Sequence, residues 1–244
     1  MQSAVGVRRK RGMEDFIRPT NMIPFKVCCM QSAEEADLAI AAGAIAIGLV
    51  GPMPNGAGPI DDGLIAEIAA HVRRRHGERV WRTLLTSRTR GDAIVDHVAA
   101  TAVNTVQIVD WPEEGAYARI RSSHPDLRII QVVHVEDDGA VALARRAAEA
   151  ADVILLDSGK PSAAVRTLGG TGDRHDWSIS RRIVESVDKP VFLAGGLNPE
   201  NALSAWREVH PYGLDICSGL RDSARNWALN ADKLARFAAA LRQA

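Results

Sequence analysis

The chain has 244 residues, with 30 basic and 30 acidic side chains and a formal net charge of zero, so it lacks the overall field that draws in polyanions, and nucleic acid is not an expected partner. At 46% hydrophobic and 25% charged residues it has the composition of an ordered soluble domain, and no apolar run approaches the roughly 18 to 20 residues of a membrane-spanning helix. Three cysteines, Cys28, Cys29 and Cys217, are too few and too oddly spaced for a disulfide framework or a metal site, which fits reduced thiols, a cytoplasmic location and no metal.

Residues 1–22 read as a tail outside the fold. Their basic run, Arg8-Arg9-Lys10-Arg11, is not followed by the apolar stretch of a secretory leader. From residue 23 to 244 short β-branched runs alternate with helical patterns, as βαβ units do. The runs are 25–30 (FKVCCM), 44–50 (AIAIGLV), 79–85 (RVWRTLL), 105–110 (TVQIVD), 128–135 (RIIQVVHV), 152–158 (DVILLDS), 190–195 (PVFLAG) and 214–219 (LDICSG). Between them apolar residues recur at turn spacing, as in Leu64, Ile65, Ile68, Ala69 and Val72. Helix starts are marked by Ser32 with Glu35, by Asp137, and by Asn198-Pro199-Glu200. Eight units in roughly 220 residues predict an α/β fold of the (β/α)8 barrel type in one domain, 23–244, rather than a doubly wound open sheet.

In such a barrel the chemistry lies where the strands end and the βα loops begin. Alternation in the first strand places Lys26, Cys28 and Met30 on one face and Phe25, Val27 and Cys29 on the other. A lysine inside a parallel strand is out of place as packing and points to a site. Cys28 shares its face and is either a thiol that the ammonium favours as thiolate or a small buried apolar group. Asp157, ending an apolar strand, is either a catalytic carboxyl or a capping group. Glycines recur at Gly169-Gly170-Thr171-Gly172, Gly195-Gly196 and Ser218-Gly219. Loops at these barrel positions hold phosphate on backbone N–H groups, so the expected partner is a small phosphorylated substrate.

These residues resemble the phosphoribosylanthranilate isomerase family of tryptophan biosynthesis, over Lys26 to about Leu220. The resemblance is carried by Lys26-Val27-Cys28, Gly43-Ala44 with Ile47-Gly48, Val106-Gln107, Leu156-Asp157-Ser158, Gly169-Gly170-Thr171-Gly172 with Asp176-Trp177, the run Leu193 to Asn201 (LAGGLNPEN), and Asp215 before Ser218-Gly219. It implies an Amadori rearrangement of an N-linked ribose 5-phosphate, with Asp157 as acid and Cys28 as base and no cofactor. Lys26, Gln107, Gly170, Gly172, Gly195, Gly196, Asp215, Ser218 and Gly219 would bind substrate and its phosphate. The chain would act as a monomer or homodimer.

The sequence departs from the family pattern at defined points. Ala57 stands where the family has the arginine that holds the anthranilate carboxylate, and a methyl group does not replace a bidentate clamp. Val109 stands at the family's histidine, Asp110 at its following glycine, Cys29 at the glycine after its cysteine, and Arg221 at its final glutamate. Arg88 or Arg90, after the third strand, is the candidate replacement for the carboxylate clamp. Two other readings stay open: a different phosphorylated substrate, processed by isomerisation or through a Lys26 Schiff base, and a non-catalytic phosphate-ligand barrel.

Overall fold

The structure is a computed structural model that describes residues 22–54, 58–158, 176–222 and 227–242. The expected tail lies outside the described residues except for Met22, which packs against Phe25 and the outer core. Eight parallel strands close into a barrel in chain order: β1 (Phe25–Val27), β2 (Ala46–Val50), β3 (Trp81–Thr86), β4 (Thr105–Ile108), β5 (Arg128–His134), β6 (Val153–Asp157), β7 (Val191–Leu193) and β8 (Gly213–Ile216). The closure excludes the open doubly wound sheet. Every expected strand is present, trimmed by a few residues at its ends, where the ladder gives way to βα loops.

Around the barrel run α1 (Ala33–Ala41), α2 (Asp62–His76), α3 (Gly91–Thr101), α4 (Ala116–Ser123), α5 (Gly139–Ala148), α6 (Trp177–Ser186), α7 (Ala202–Val209) and α8 (Ala231–Leu241). Their starts follow the sequence signals closely. Ser32 accepts the Glu35 N–H at 3.3 Å, and Asp137 accepts the Gly139 N–H at 2.8 Å, each satisfying a donor that the first helical turn leaves free. A small hairpin of β9 (Arg221–Asp222) and β10 (Ala228–Leu229) precedes α8.

The strands carry two apolar layers. The outer one, between barrel and helices, includes Phe25, Val27, Leu84, Leu156 and Leu193; the inner one includes Ala46, Trp81, Ile130, Val153, Leu155 and Phe192. Alternation assigns Lys26, Gln107, His134, Asp157 and Asp215 to the inner face with these. Two residues break the expected alternation after β1. Cys29 joins the inner layer with Cys28, and Met30 joins the outer one. The cause is the Cys29 backbone, whose φ of 66° lies in the left-handed region and flips the side-chain order.

The N-terminal floor of the barrel is aromatic. Phe192 lies 5.8 Å from Trp81 and 5.6 Å from Tyr212 between ring centroids, and the Arg128 guanidinium covers the Trp81 ring at 4.0 Å. Trp81 and Arg128 begin their strands, so this packing plugs the end opposite the βα loops.

Candidate active site

The C-terminal mouth is built from charges that the barrel wall holds away from water. Lys26 on β1 faces Asp215 on β8 in register, and its Nζ donates to Asp215 Oδ2 at 2.7 Å. The two residues are 1% and 6% exposed, so each is the other's main compensation for leaving water. Burial opposes the Lys26 ammonium most strongly, but the charge and hydrogen bond of Asp215 together with the Cys28 and Cys29 sulfurs outweigh it and hold the lysine charged, above its ordinary range. Burial likewise pushes the Asp215 carboxyl up to about 7, against the pull of Lys26.

Cys28 follows Lys26 by two residues and faces inward with it. Its thiol fits only because Gly48 on β2 has no side chain: a Cβ there would come within 2.6 Å of Cys28 Sγ. The second glycine of the Gly43 to Gly48 motif is thus a socket for the thiol. Cys28 is held well below the usual thiol range, first by hydrogen bonds from the Cys217 and Cys29 thiols, against burial, and then by the Lys26 ammonium. Cys29 and Cys217 are pushed the other way by the same contacts, so they keep their protons and donate to a Cys28 thiolate.

Asp157 ends β6 on the same inner face. Burial raises its carboxyl, while the Ser158 N–H, donated to its Oδ1 at 2.7 Å, and the Lys26 ammonium act downward. The net shift is upward, toward a carboxyl that keeps its proton, so the mouth holds an acid and a thiolate whose environments drive their pKa values in opposite directions.

The loops after β7 and β8 form one seat. Gly195 and Gly196 take φ values of 85° and 62°, turning the chain so that backbone groups line the loop. Asn201 fixes that turn by donating to the Gly196 carbonyl at 2.9 Å and accepting the Asn198 N–H at 2.8 Å, which explains the asparagines of the LAGGLNPEN run. Ser218 and Gly219 open a short 3-10 turn after β8. The Gly219 backbone presses onto the β7 loop so closely that a Cβ would lie 2.1 Å from the Leu197 carbonyl oxygen. Gly170 and Gly172 lie outside the described residues, as does Ala57.

Gln107 is buried on the inner face of β4. Arg88, in the loop after β3, is engaged by other groups: it donates to the Ala93 carbonyl at 3.0 Å and stands 3.8 Å from Asp62. Arg90 is exposed immediately before α3. Among the described residues no group of three or more His, Cys, Asp or Glu side chains is arranged to hold a metal ion.

A family model described as N-(5'-phosphoribosyl)anthranilate (PRA) isomerase matches residues 90–223. N-(5'-phosphoribosyl)anthranilate isomerase 2 of Methanosarcina mazei is 36% identical over 198 residues, 81% of this chain and 85% of the relative. The chain belongs to the phosphoribosylanthranilate isomerase family. The barrel of the Thermotoga maritima phosphoribosylanthranilate isomerase superposes with a TM-score of 0.73 at 25% identity, over 91% of this chain and all of the other. A phosphoribosylanthranilate isomerase crystallised with reduced 1-(o-carboxyphenylamino)-1-deoxyribulose 5-phosphate has the same fold, with a TM-score of 0.71 at 23% identity, over 91% of this chain and all of the other.

Against that family background, three features of the mouth escape a reading by motif. The first is the pair of thiols around Cys28; nothing in the spacing of Cys217 announces that β8 lies beside β1. The second is Arg221, 3% exposed, whose Nη1 donates to both Glu35 oxygens at 2.9 and 2.8 Å and whose Nη2 donates to the carbonyls of Cys28 and Cys29. Glu35 also accepts the Gln31 and Leu229 N–H groups. This phosphoribosylanthranilate isomerase family member therefore ties the thiol-bearing loop to the end of β8 with one guanidinium. The third is His134, on β5 beside Asp157.

Proposed function

We propose that the chain isomerises N-(5'-phosphoribosyl)anthranilate to the 1-deoxyribulose 5-phosphate product. The observation that carries this reading is the pairing, in one mouth, of a half-buried carboxyl on β6 whose surroundings raise its pKa with a buried thiol on β1 whose neighbours lower its own. Asp157 gives its proton to the furanose ring oxygen as the C1–O bond breaks, and the nitrogen lone pair completes a Schiff base. The Cys28 thiolate then removes the C2 proton, whose bonding pair becomes the C1–C2 double bond. The C1–N double-bond pair returns to nitrogen, and the resulting enol gains a proton at C1 and loses that of its C2 hydroxyl to give the ketose. The Gly195-Gly196 turn and the Ser218-Gly219 turn receive the phosphate, and Lys26, Gln107 and Asp215 border the sugar. The free thiols support a cytosolic setting.

Arg88 or Arg90 would hold the aglycone carboxylate in place of the family arginine; Arg88 must release Asp62 to do so. Unchanged KM in both Arg88→Ala and Arg90→Ala would assign the carboxylate elsewhere. A Schiff-base lyase is disfavoured, because such a lysine needs its amine neutral, whereas Asp215 holds Lys26 charged. The test of the main reading is consumption of phosphoribosylanthranilate by the purified protein. Wild type should turn over, and Cys28→Ala should be slowed by about 100-fold or more. An inactive wild type, or a fully active Cys28→Ala, would refute it.

A further inference from the structure

Four polar atoms on inward-facing side chains of the barrel strands are buried and have no hydrogen-bond partner among the described residues: Thr83 Oγ1, in the middle of β3, and, toward the mouth, Gln107 Oε1, Asp215 Oδ1 and His134 Nδ1. A buried polar atom left unpaired costs free energy, and native proteins leave few of them. Gln107 and Asp215 belong to the substrate-binding set already described. His134 does not, and the family pattern places its histidine one strand away, at the position of Val109.

The tautomer of His134 follows from its one hydrogen bond. Nε2 lies 2.9 Å from the Val109 carbonyl oxygen, and a carbonyl only accepts, so Nε2 carries a proton. In the neutral ring Nδ1 is then a lone-pair acceptor. The residue is the cross-strand partner of Asp157, and both side chains lie on the inner face. A ligand group that touches the Asp157 carboxyl is therefore next to an acceptor that no described residue uses.

We propose that His134 is a further catalytic residue of this isomerase, whose Nδ1 accepts a hydrogen bond from the pentose hydroxyl that forms when Asp157 protonates the ring oxygen. The inference rests on the proposed isomerisation and adds a contact to it. Ring opening moves a proton from the carboxyl to the ring oxygen, and the electron pair of the broken C1–O bond stays on that oxygen. The new hydroxyl is a donor that the closed sugar lacked. His134 Nδ1 offers it an acceptor in a site shielded from water, so the contact is stronger in the opened species than in the bound substrate, which is the condition for raising kcat. The Val109 carbonyl orients the ring, and the small Val109 side chain leaves room for it on the neighbouring strand.

Two substitutions separate this role from a structural one. His134→Gln places an amide N–H near the position of Nε2, keeping the bond to Val109 and removing the Nδ1 acceptor. His134→Asn keeps an acceptor near the position of Nδ1 and loses the bond to Val109. The expected result is a loss of kcat of about 10-fold or more in His134→Gln with KM changed less, a smaller loss in His134→Asn, and about 10-fold weaker binding of the reduced open-chain product analogue by His134→Gln. If wild type is active and His134→Gln matches it in kcat and in analogue affinity, or if His134→Asn is the more impaired of the two, His134 only holds the Val109 carbonyl and the inference falls alone. A wild type that neither consumes phosphoribosylanthranilate nor binds the analogue removes the isomerase reading and the inference with it.

Discussion

The two ends of the barrel use the same strands for opposite purposes. The floor packs Trp81, Phe192 and Tyr212 with tilted rings under the Arg128 guanidinium, and its strength is the removal of apolar surface from water. The mouth buries Lys26 and Asp215 and half-buries Asp157, groups that water would stabilise better, and leaves acceptors without partners among the described residues. One end stabilises the fold and the other draws on that stability to hold charges in a dry place. The separation is geometric, because alternate inner residues of one strand, such as Leu155 and Asp157, serve the packed interior and the site in turn.

Substitutions at the two ends should therefore fail in different measurements. The largest effect is expected at the mouth: Asp157→Asn should lower kcat by roughly 10²- to 10⁴-fold with little change in thermal stability, since burial already favours the uncharged carboxyl there. Paired steady-state kinetics and melting curves check this, and a large loss of stability would make Asp157 part of the packing. Phe192→Ala should do the reverse, costing about 3 to 5 kcal/mol in denaturant titration while the folded fraction keeps its KM. The Gly213 backbone is shaped to this ring, since a Cβ at Gly213 would lie 2.9 Å from Phe192 Cε1.

A third test concerns pH. Asp215 has its carboxyl raised to about 7 in the fold, against about 3.9 in the unfolded chain. The folded state therefore holds a proton that the unfolded state releases. The stabilising contribution is complete below about pH 4 and is lost as pH rises through about 7. Asp215→Asn should remove that decline, a slope of at most about 1.4 kcal/mol per pH unit, from stability measured across this window. An unaltered slope would mean that Asp215 titrates alike in both states. The smallest effect is expected at Cys29. Glycine there relieves a left-handed backbone worth about 1 to 2 kcal/mol but loosens the unfolded chain and loses a buried side chain, so Cys29→Gly should shift stability by no more than about 1 kcal/mol. Cys29→Val should be clearly worse, because a β-branched residue tolerates that conformation least.

The floor and the mouth were unequally legible in the sequence. Strand count, barrel closure and the roles of Lys26, Cys28 and Asp157 as inward-facing residues all follow from local patterns: alternation, turn spacing and a charge where packing would not place one. The β7 loop was readable for the same reason, since Asn198 and Asn201 bond within five residues of themselves, to each other and to the glycines beside them. The flipped order of Cys29 and Met30 was not readable, because alternation presumes an extended backbone and one left-handed residue cancels it. Nor was the use of Cys217, Arg221 or His134. Each acts on a group in another strand or loop, and the sequence distance between partners carries no signal. His134 in particular reads as an ordinary strand residue until β4 and β6 are set on either side of it.

Lys26 and Asp215 are 189 positions apart, and Arg221 and Glu35 are 186 apart. The first contact joins β1 to β8 and the second joins α1 to β9, so during synthesis the ammonium of Lys26 waits for nearly the whole chain before its counterion exists. Until then an inward Lys26 is an uncompensated buried charge, which keeps the first strand from settling into a premature barrel with fewer units. The seam between the first and last strands thus serves as a length check: the ring closes well only around a complete set of eight.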